Sequence, residues 1–317
     1  MNLPLWSPSP TRIIDANLSR FIARANNNLN YSIQNYSELY NWSITQPEEF
    51  WPMVWRFTQV KSSKLWDEVL RHGKNIPEAR WFGGARLNFA ENLLQRRDDK
   101  TALIFWGEDQ AKRTLSYREL YQQVAQLAAA MRTQGVTTGD RVVGFMPNMP
   151  ETIIAMLATT SIGAIWSSCS PDFGVNGAVE RFSQIEPKLL FTADGYWFKG
   201  QKIDSLLRAT HITQQLPTLQ HVVVIPYIES QPSIATVPHA THWHDFIHNS
   251  ATEIEFTQLP FDHPLYILYS SGTTGLPKCI VHGAGGTLLQ HLKELVLHTD
   301  LKAEDRIFYF TTCGWMM

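Results

Sequence analysis

Between residues 101 and 227 short runs of branched and aromatic residues alternate with helical patterns, and that alternation leaves few folds open. "DRVVGFM" (140–146), "AIWSSCS" (164–170), "KLLFTAD" (188–194) and "HVVVIPY" (221–227) have the length and near-continuous apolar character of strands covered on both faces. "TALIFWG" (101–107) is a further strand candidate. The clearest helix is "SYRELYQQVAQLAAAMRTQG" (116–135). Ser116 and Glu119 have capping-box spacing, Leu120, Val124, Leu127, Ala128 and Met131 return to one face, and Gly135 stops the helix. Another helix is expected over 150–162, opened by Pro150-Glu151 and stopped at Gly163, and one more ends the polar segment 171–187. Strands that alternate with helices in this way imply βαβ units and a largely parallel sheet, an α/β fold.

Residues 1–95 read differently. They carry Trp6, Trp42, Trp51, Trp55, Trp66 and Trp81, and short helical patterns such as "TQPEEFWPMVWRF", with Thr45 or Gln46 at the cap and Pro47 in the first turn. This stretch is expected to form a helical extension (1–95) on a larger body (96–317), in which residues 228–252 look only weakly structured. At 44% hydrophobic and 18% charged residues the chain can bury a large core. Its formal net charge of −2 without a basic block gives no reason to expect nucleic acid or an anionic membrane as partner. Cys169, Cys279 and Cys313 are far apart in apolar sequence, as reduced, mostly buried thiols of a cytoplasmic protein would be. The N-terminus lacks the apolar core of a signal peptide. The uncharged segment 152–171 holds seven Ser/Thr and a terminal proline, and a buried helix followed by a buried strand suits it better than a membrane span.

The stretch "YILYSSGTTGLPKCIVHG" (266–283) concentrates hydroxyls and glycines in one turn, with Lys278 beyond. Such residues let a backbone approach an anion and donate to its oxygens. The spacing excludes a Walker A loop, because only two residues separate Gly272 from Gly275 and Lys278 precedes Cys279. Strand-like runs on both sides argue against a flexible linker. Composition alone leaves anion binding and a structural turn both open.

With the loop set between two strands of an α/β body, "YSSGTTGLPK" resembles the phosphate-loop signature of the adenylate-forming enzymes, the family of acyl-CoA synthetases, luciferases and nonribosomal adenylation domains. Further stretches resemble its acetoacetyl-CoA synthetase branch: "YSELYNWSITQPEEFW" (36–51), "WFGGARLNFAENLL" (81–94), residues 170–204, "CIVHGAGGTLLQHLKE" (279–294) and "TTCGWMM" (311–317). The Thr-Thr-Cys before Gly314-Trp315 departs from the Ala-Asp-Val expected of acetyl-CoA synthetases and favours the acetoacetate branch.

The resemblance implies a ligase that activates acetoacetate with ATP and Mg²⁺ and passes it to coenzyme A, in lipid or ketone-body metabolism. Another short-chain acyl-CoA synthetase and a non-catalytic nucleotide-binding fragment are the alternatives. It places Ser270, Ser271, Gly272, Thr273, Thr274 and Gly275 around the triphosphate, with Thr274 as side-chain donor and Lys278 as a point charge or an ordinary solvated lysine. Trp315, Met316 and Met317 would line the acyl pocket or simply fill core. His282 is a structural residue or a neighbour of that cavity. For coenzyme A it points to "DFG" (172–174), with Phe173 and Gly174, and to Lys199 and Lys202 where the related synthetase carries arginines. No catalytic residue and no metal ligand is implied within this chain. Family members are roughly twice as long, so the resemblance implies an N-terminal half, inactive alone, with the Mg²⁺ ligand, the adenine and ribose contacts and the small C-terminal domain elsewhere. The run "RIFYF" (306–310) reads as a last strand, left as an exposed edge.

Overall fold

The structure is a computed structural model that describes residues 5–29, 31–108, 112–270 and 275–315. The chain divides into two compact units, residues 1–85 with 285–309, and residues 86–284 with 310–317.

The first unit opens with four helices, α1 (Pro10–Asp15), α2 (Asn17–Leu29), α3 (Tyr36–Thr45) and α4 (Pro47–Phe57). The Ser9 hydroxyl caps α1 by accepting from the N–H of Arg12, and the Asn35 side chain caps α3 by accepting from that of Glu38. Pro47 opens α4 directly after Gln46. An antiparallel pair follows, β1 (Glu68–Arg71) with β2 (Arg80–Gly83). The aromatic residues of this region form its core. The fully buried Phe21 ring meets Trp42, Phe50 and Phe57 at centroid distances of 6.3, 5.9 and 5.3 Å. Trp55, Trp66 and Phe82 form a second group, each pair within 5.1 Å. Residues 285–309 return to this unit, where Asn17 donates to Asp300 and to the carbonyl of Val296.

The second unit begins with β3 (Arg86–Leu87), α5 (Phe89–Leu93) and an antiparallel hairpin of β4 (Thr101–Trp106) and β5 (Lys112–Ser116). There follow α6 (Tyr117–Thr133), β6 (Arg141–Phe145), α7 (Pro150–Ser161), β7 (Ile165–Cys169), α8 (Gly174–Phe182) and β8 (Leu189–Ala193). Next come the hairpin β9 (Gly195–Phe198) and β10 (Gln201–Asp204), then α9 (Leu206–Gln214), β11 (His221–Ile225), β12 (Ala240–His242) and α10 (Trp243–Phe246). β13 (Leu259–Pro260) pairs with β3, and β14 (Pro264–Ser270) and β15 (Lys278–Gly283) lead into α11 (Ala284–Leu292).

Seven strands form one sheet in the order β12, β11, β8, β6, β7, β14, β15. The first six are mutually parallel and β15 is antiparallel on the edge. Alternate side chains of the central strands enter two cores. Val142, Trp166 and Phe191 pack with Leu120, Val124, Leu127 and Met131 of α6 and with Ile154 and Leu157 of α7. Val143, Phe145, Leu190 and Val222 pack with Ala178 and Phe182 of α8 and Ala209 and Ile212 of α9. Burial on both faces is why these strands are continuous apolar runs. The expected capping box of α6 is present, with Ser116 and Glu119 bonded reciprocally.

"TALIFWG" is the strand expected of it, β4, which lies in a separate hairpin; Ile104 and Trp106 are exposed, so only one face of this strand is covered. Two local expectations are corrected. The 228–252 tract contains β12 and α10, and β12 joins the large sheet by backbone pairing to Val222–Val224. Three residues are too few to leave a periodic signal. "RIFYF" is not a strand: residues 306–310 have no ladder partner among the described residues, and Phe308 and Phe310 are 85% and 92% exposed. Aromatic composition favours a strand only where a neighbour supplies the ladder. Segment 152–171 is the buried helix and strand expected of it, and among the described residues no helix is long and apolar enough to cross a membrane.

Candidate functional site

Loops leaving the carboxyl ends of parallel strands share one rim of the sheet, and a cleft opens where the winding direction reverses. Here β7 lies on one side of β6 and β8 on the other, so the reversal falls between β6 and β8. The segments after β6, β7 and β14 leave the same rim of the sheet.

The hydroxyl-rich loop spans β14 and β15, which pair in register from Ile267↔Val281 to Ser270↔Lys278. Its two ends are therefore held one strand apart. Ser271, Gly272, Thr273 and Thr274 lie outside the described residues. Ser270 is half-buried at the end of β14, and Lys278 is exposed at the start of β15. Gly275 has φ +153°, a backbone state that side chains rarely adopt. The far end of the loop is anchored by Gln184, whose Nε2 donates to the carbonyl of Pro277 at 3.0 Å.

After β7 the chain makes a 3₁₀ turn, Pro171–Phe173, and enters α8 at Gly174, where φ is +68° and ψ −175°. Ser170 donates to Asp172 at 2.9 Å, and Tyr196 on β9 donates to the other Asp172 oxygen at 2.9 Å. Arg208 secures the same turn through the carbonyl of Pro171 at 3.0 Å. Arg181 on α8 has its guanidinium 4.3 Å from the Phe173 ring centroid and 5.8 Å from that of Tyr269, one residue before Ser270. It therefore links the "DFG" turn to the strand entering the hydroxyl loop.

The third component is the 312–315 turn. Ser168 on β7 donates to the carbonyl of Cys313 at 2.8 Å, and the Cys313 thiol donates to Asn148, after β6, at 3.2 Å. A Cβ on Gly314 would stand 2.6 Å from the Ser168 carbonyl oxygen, so only glycine fits there. Trp315 is described and 61% exposed; Met316 and Met317 lie outside the described residues. Burial pushes the Cys313 thiol up to about 11 and the Cys169 thiol up to about 12, so both stay protonated.

The remaining expected residues are placed less centrally. Lys199 sits at the tip of the β9–β10 hairpin with φ +52°, its ammonium 5.2 Å from the Phe198 ring. Lys202 pairs with Glu229 at 3.3 Å, so its charge has a carboxylate partner. His282, on β15 opposite Tyr266, has a buried Nδ1 without a hydrogen-bond partner among the described residues. Among the described residues no group of three or more His, Cys, Asp or Glu gathers to hold a metal. Ser167, Ser168, Arg181 and Gln184 were not singled out from the sequence. The two serines could have been, since polar residues inside an apolar central strand need a reason. Among the described residues this rim carries Ser270, Lys278 and the guanidinium groups of Arg181 and Arg208, and both of its buried thiols stay protonated.

Residues 89–317 match the family described as AMP-binding enzyme, and residues 36–93 match the acetyl-coenzyme A synthetase N-terminus. The chain is similar to the acetoacetyl-CoA synthetase of Gallus gallus, 44% identical over 322 residues that cover 99% of this chain and 48% of the relative. It is similar also to the acetoacetyl-coenzyme A synthetase of Rhizobium meliloti, 48% identical over 318 residues with the same coverage. Among solved structures it resembles an acetoacetyl-CoA synthetase from Streptomyces lividans, with a TM-score of 0.93 and 41% identity over 99% of this chain and 48% of that one. The chain thus spans about half the length of the curated relatives it matches.

Proposed function

The chain belongs to the AMP-binding enzyme family, and from that premise we propose that it is the N-terminal portion of an acetoacetate–CoA ligase, with residues 1–95 as the extension and 96–317 as the first part of the adenylation domain. In the first half-reaction a carboxylate oxygen of acetoacetate attacks the α-phosphorus of ATP. The bond from that phosphorus to the bridging oxygen breaks, and pyrophosphate leaves. In the second, the coenzyme A thiol attacks the acyl carbon of the adenylate, loses its proton, and AMP departs with the carbon–oxygen bonding pair.

The supporting observation is positional. β14, which enters the 271–274 segment, pairs directly with β7, and the 312–315 turn is bonded to Ser168 of that same β7. A triphosphate in the loop and an acid beside Trp315, Met316 and Met317 would then meet at the α-phosphorus. The substrate carboxylate is itself the nucleophile, so the chain's own task is orientation and charge stabilisation. Ser270, Ser271, Gly272, Thr273, Thr274, Gly275 and Lys278 are assigned to the triphosphate. Phe173, Gly174, Lys199 and Lys202 are assigned to coenzyme A, with Lys202 first released from Glu229. Magnesium would accompany the triphosphate, and no described residue is assigned to it. The test is ATP–pyrophosphate exchange by the natural polypeptide that carries this chain, translated to its stop codon, with a panel of short acids. Exchange should be fastest with acetoacetate; equal or faster exchange with acetate or propionate would reject the acid assignment.

A further inference from the structure

Ser167 and Ser168 are adjacent in β7, a strand of the parallel sheet, and their relative exposures are 0% and 2%. A buried hydroxyl needs a partner, and these two find theirs in opposite directions. Ser167 donates to the carbonyl of Ile267 at 2.6 Å and lies 3.1 Å from the Tyr269 hydroxyl. Having one proton to give, it accepts from Tyr269, whose phenol burial raises and keeps protonated. Ser168 donates to the carbonyl of Cys313, 145 residues further along the chain. Gly314 rests on the Ser168 backbone so closely that no side chain fits between them.

We propose that these two serines are positioning residues that divide the work of the site: Ser167 aligns the strand entering the 271–274 loop, and Ser168 aligns the 312–315 turn. The proposal rests on the reading of that loop as the triphosphate side and of Trp315 as the acid side. Successive residues of a strand face opposite ways, so one strand holds two substrate-bearing segments independently. The residue pair works as a ruler between them. Ser167 sets Tyr269 and Ser270 through the β14 side of the sheet, and Ser168 sets Cys313 to Trp315 through the other face, with the Cys313 thiol on Asn148 as a second tether.

The experiment compares Ser167→Ala and Ser168→Ala in the natural-length polypeptide. Ser167→Ala should raise the KM for ATP about tenfold and leave the KM for the acid within about twofold; Ser168→Ala should do the reverse. Tyr269→Phe removes one of the two bonds that Ser167→Ala removes, so the double variant should be no worse than Ser167→Ala alone. Gly314→Ala, which displaces the turn, should reproduce the Ser168→Ala pattern. Equal changes in both constants for both serines, or none, would overturn the division. Hydrogen exchange on the same natural-length polypeptides gives a readout independent of turnover. Faster exchange confined to the peptide around 312–315 in Ser168→Ala, and to β14–β15 peptides in Ser167→Ala, supports the proposal, and a common opening of both regions refutes it. A wild type that activates no acid would reject the proposed reaction, and the exchange pattern would still decide whether the two latches are independent.

Discussion

Replacing Asn88 with alanine should destabilise the 86–284 unit by about 2–4 kcal/mol. Asn88 is fully buried. Its Nδ2 donates to the carbonyls of Thr160 and Ser161 at the end of α7, at 3.1 and 2.9 Å, and to that of Thr257 at 2.9 Å. Its Oδ1 caps α5 by accepting from the N–H of Glu91 at 3.1 Å. Two amide protons serve three carbonyls, so the donated bonds amount to about two full ones at roughly 1 kcal/mol each. Loss of the cap adds about 1 kcal/mol, and unpaired buried carbonyls bring the upper figure. For a unit of this size the midpoint should fall by roughly 5–12 °C. Differential scanning calorimetry, supported by urea midpoints, measures it. Asn88→Asp keeps the cap acceptor but sets a carboxylate against the carbonyl oxygens of α7, and should be the less stable of the two. A midpoint for Asn88→Ala within about 1 °C of wild type, or an aspartate variant more stable than the alanine one, would refute this account of the clamp.

In the natural-length polypeptide, Thr274→Ala, and Gly272 and Gly275 both changed to Val, should slow adenylate formation by on the order of 100-fold or more. Thioester formation from supplied acyl-adenylate should change far less, and equal slowing of both halves would count against the loop assignment. Lys199→Ala with Lys202→Ala should raise the KM for coenzyme A at low salt and leave that for ATP unchanged; Glu229→Gln, which frees Lys202, should lower it, and no movement in either variant removes both lysines from the site. The Asp140 carboxyl is opposed by burial, but the Thr137 N–H and the Lys188 ammonium at 3.0 Å together hold it below the usual carboxylate range. Its folded-state value is the lower one, so its contribution is complete above the ordinary aspartate value and lost as pH falls through the folded one. The urea-midpoint gap between wild type and Asp140→Asn should hold from about pH 5 to 8 and close below about pH 4. A gap unchanged in acid would show that another group carries the effect.

The parts of the fold that could be read directly were those whose residues face the core. Val142, Val143, Leu189, Leu190, Val222, Val223 and Val224 are all fully buried, and burial on both sides strongly favours apolar residues, which makes such strands visible. The α6 helix was legible for a related reason: its cap is local, and its apolar positions recur on one face. What escaped depends on partners distant in the chain. β12 exists because Ala240 to His242 can pair with Val222 to Val224. Residues 306–310 remain irregular because their aromatic run has no such partner among the described residues. Propensity alone favours the second segment over the first, and tertiary pairing reverses that order.

The candidate site divides along the same line. Its local chemistry was visible in the hydroxyls and glycines of 270–275 and in Gly314-Trp315, because composition carries it. Its organisation was not, because that resides in bonds between remote segments: Ser168 to Cys313, Gln184 to Pro277, Tyr196 to Asp172, and Arg181 across Phe173 toward Tyr269. Lys202 shows the converse. As a lysine in a family-like position it read as an available cation, yet Glu229 answers its charge, and the main-chain N–H of that same Glu229 is held by the buried Asp194 carboxylate at 2.8 Å. An anion that recruits Lys202 must therefore displace a partner whose backbone is fixed. Both serines of β7 follow the rule that a polar side chain in an apolar strand is kept only where something distant answers it. In this strand the answers come from the segments entering the loop and leading to Trp315, which is why a two-residue interruption in "AIWSSCS" marks where the site is assembled.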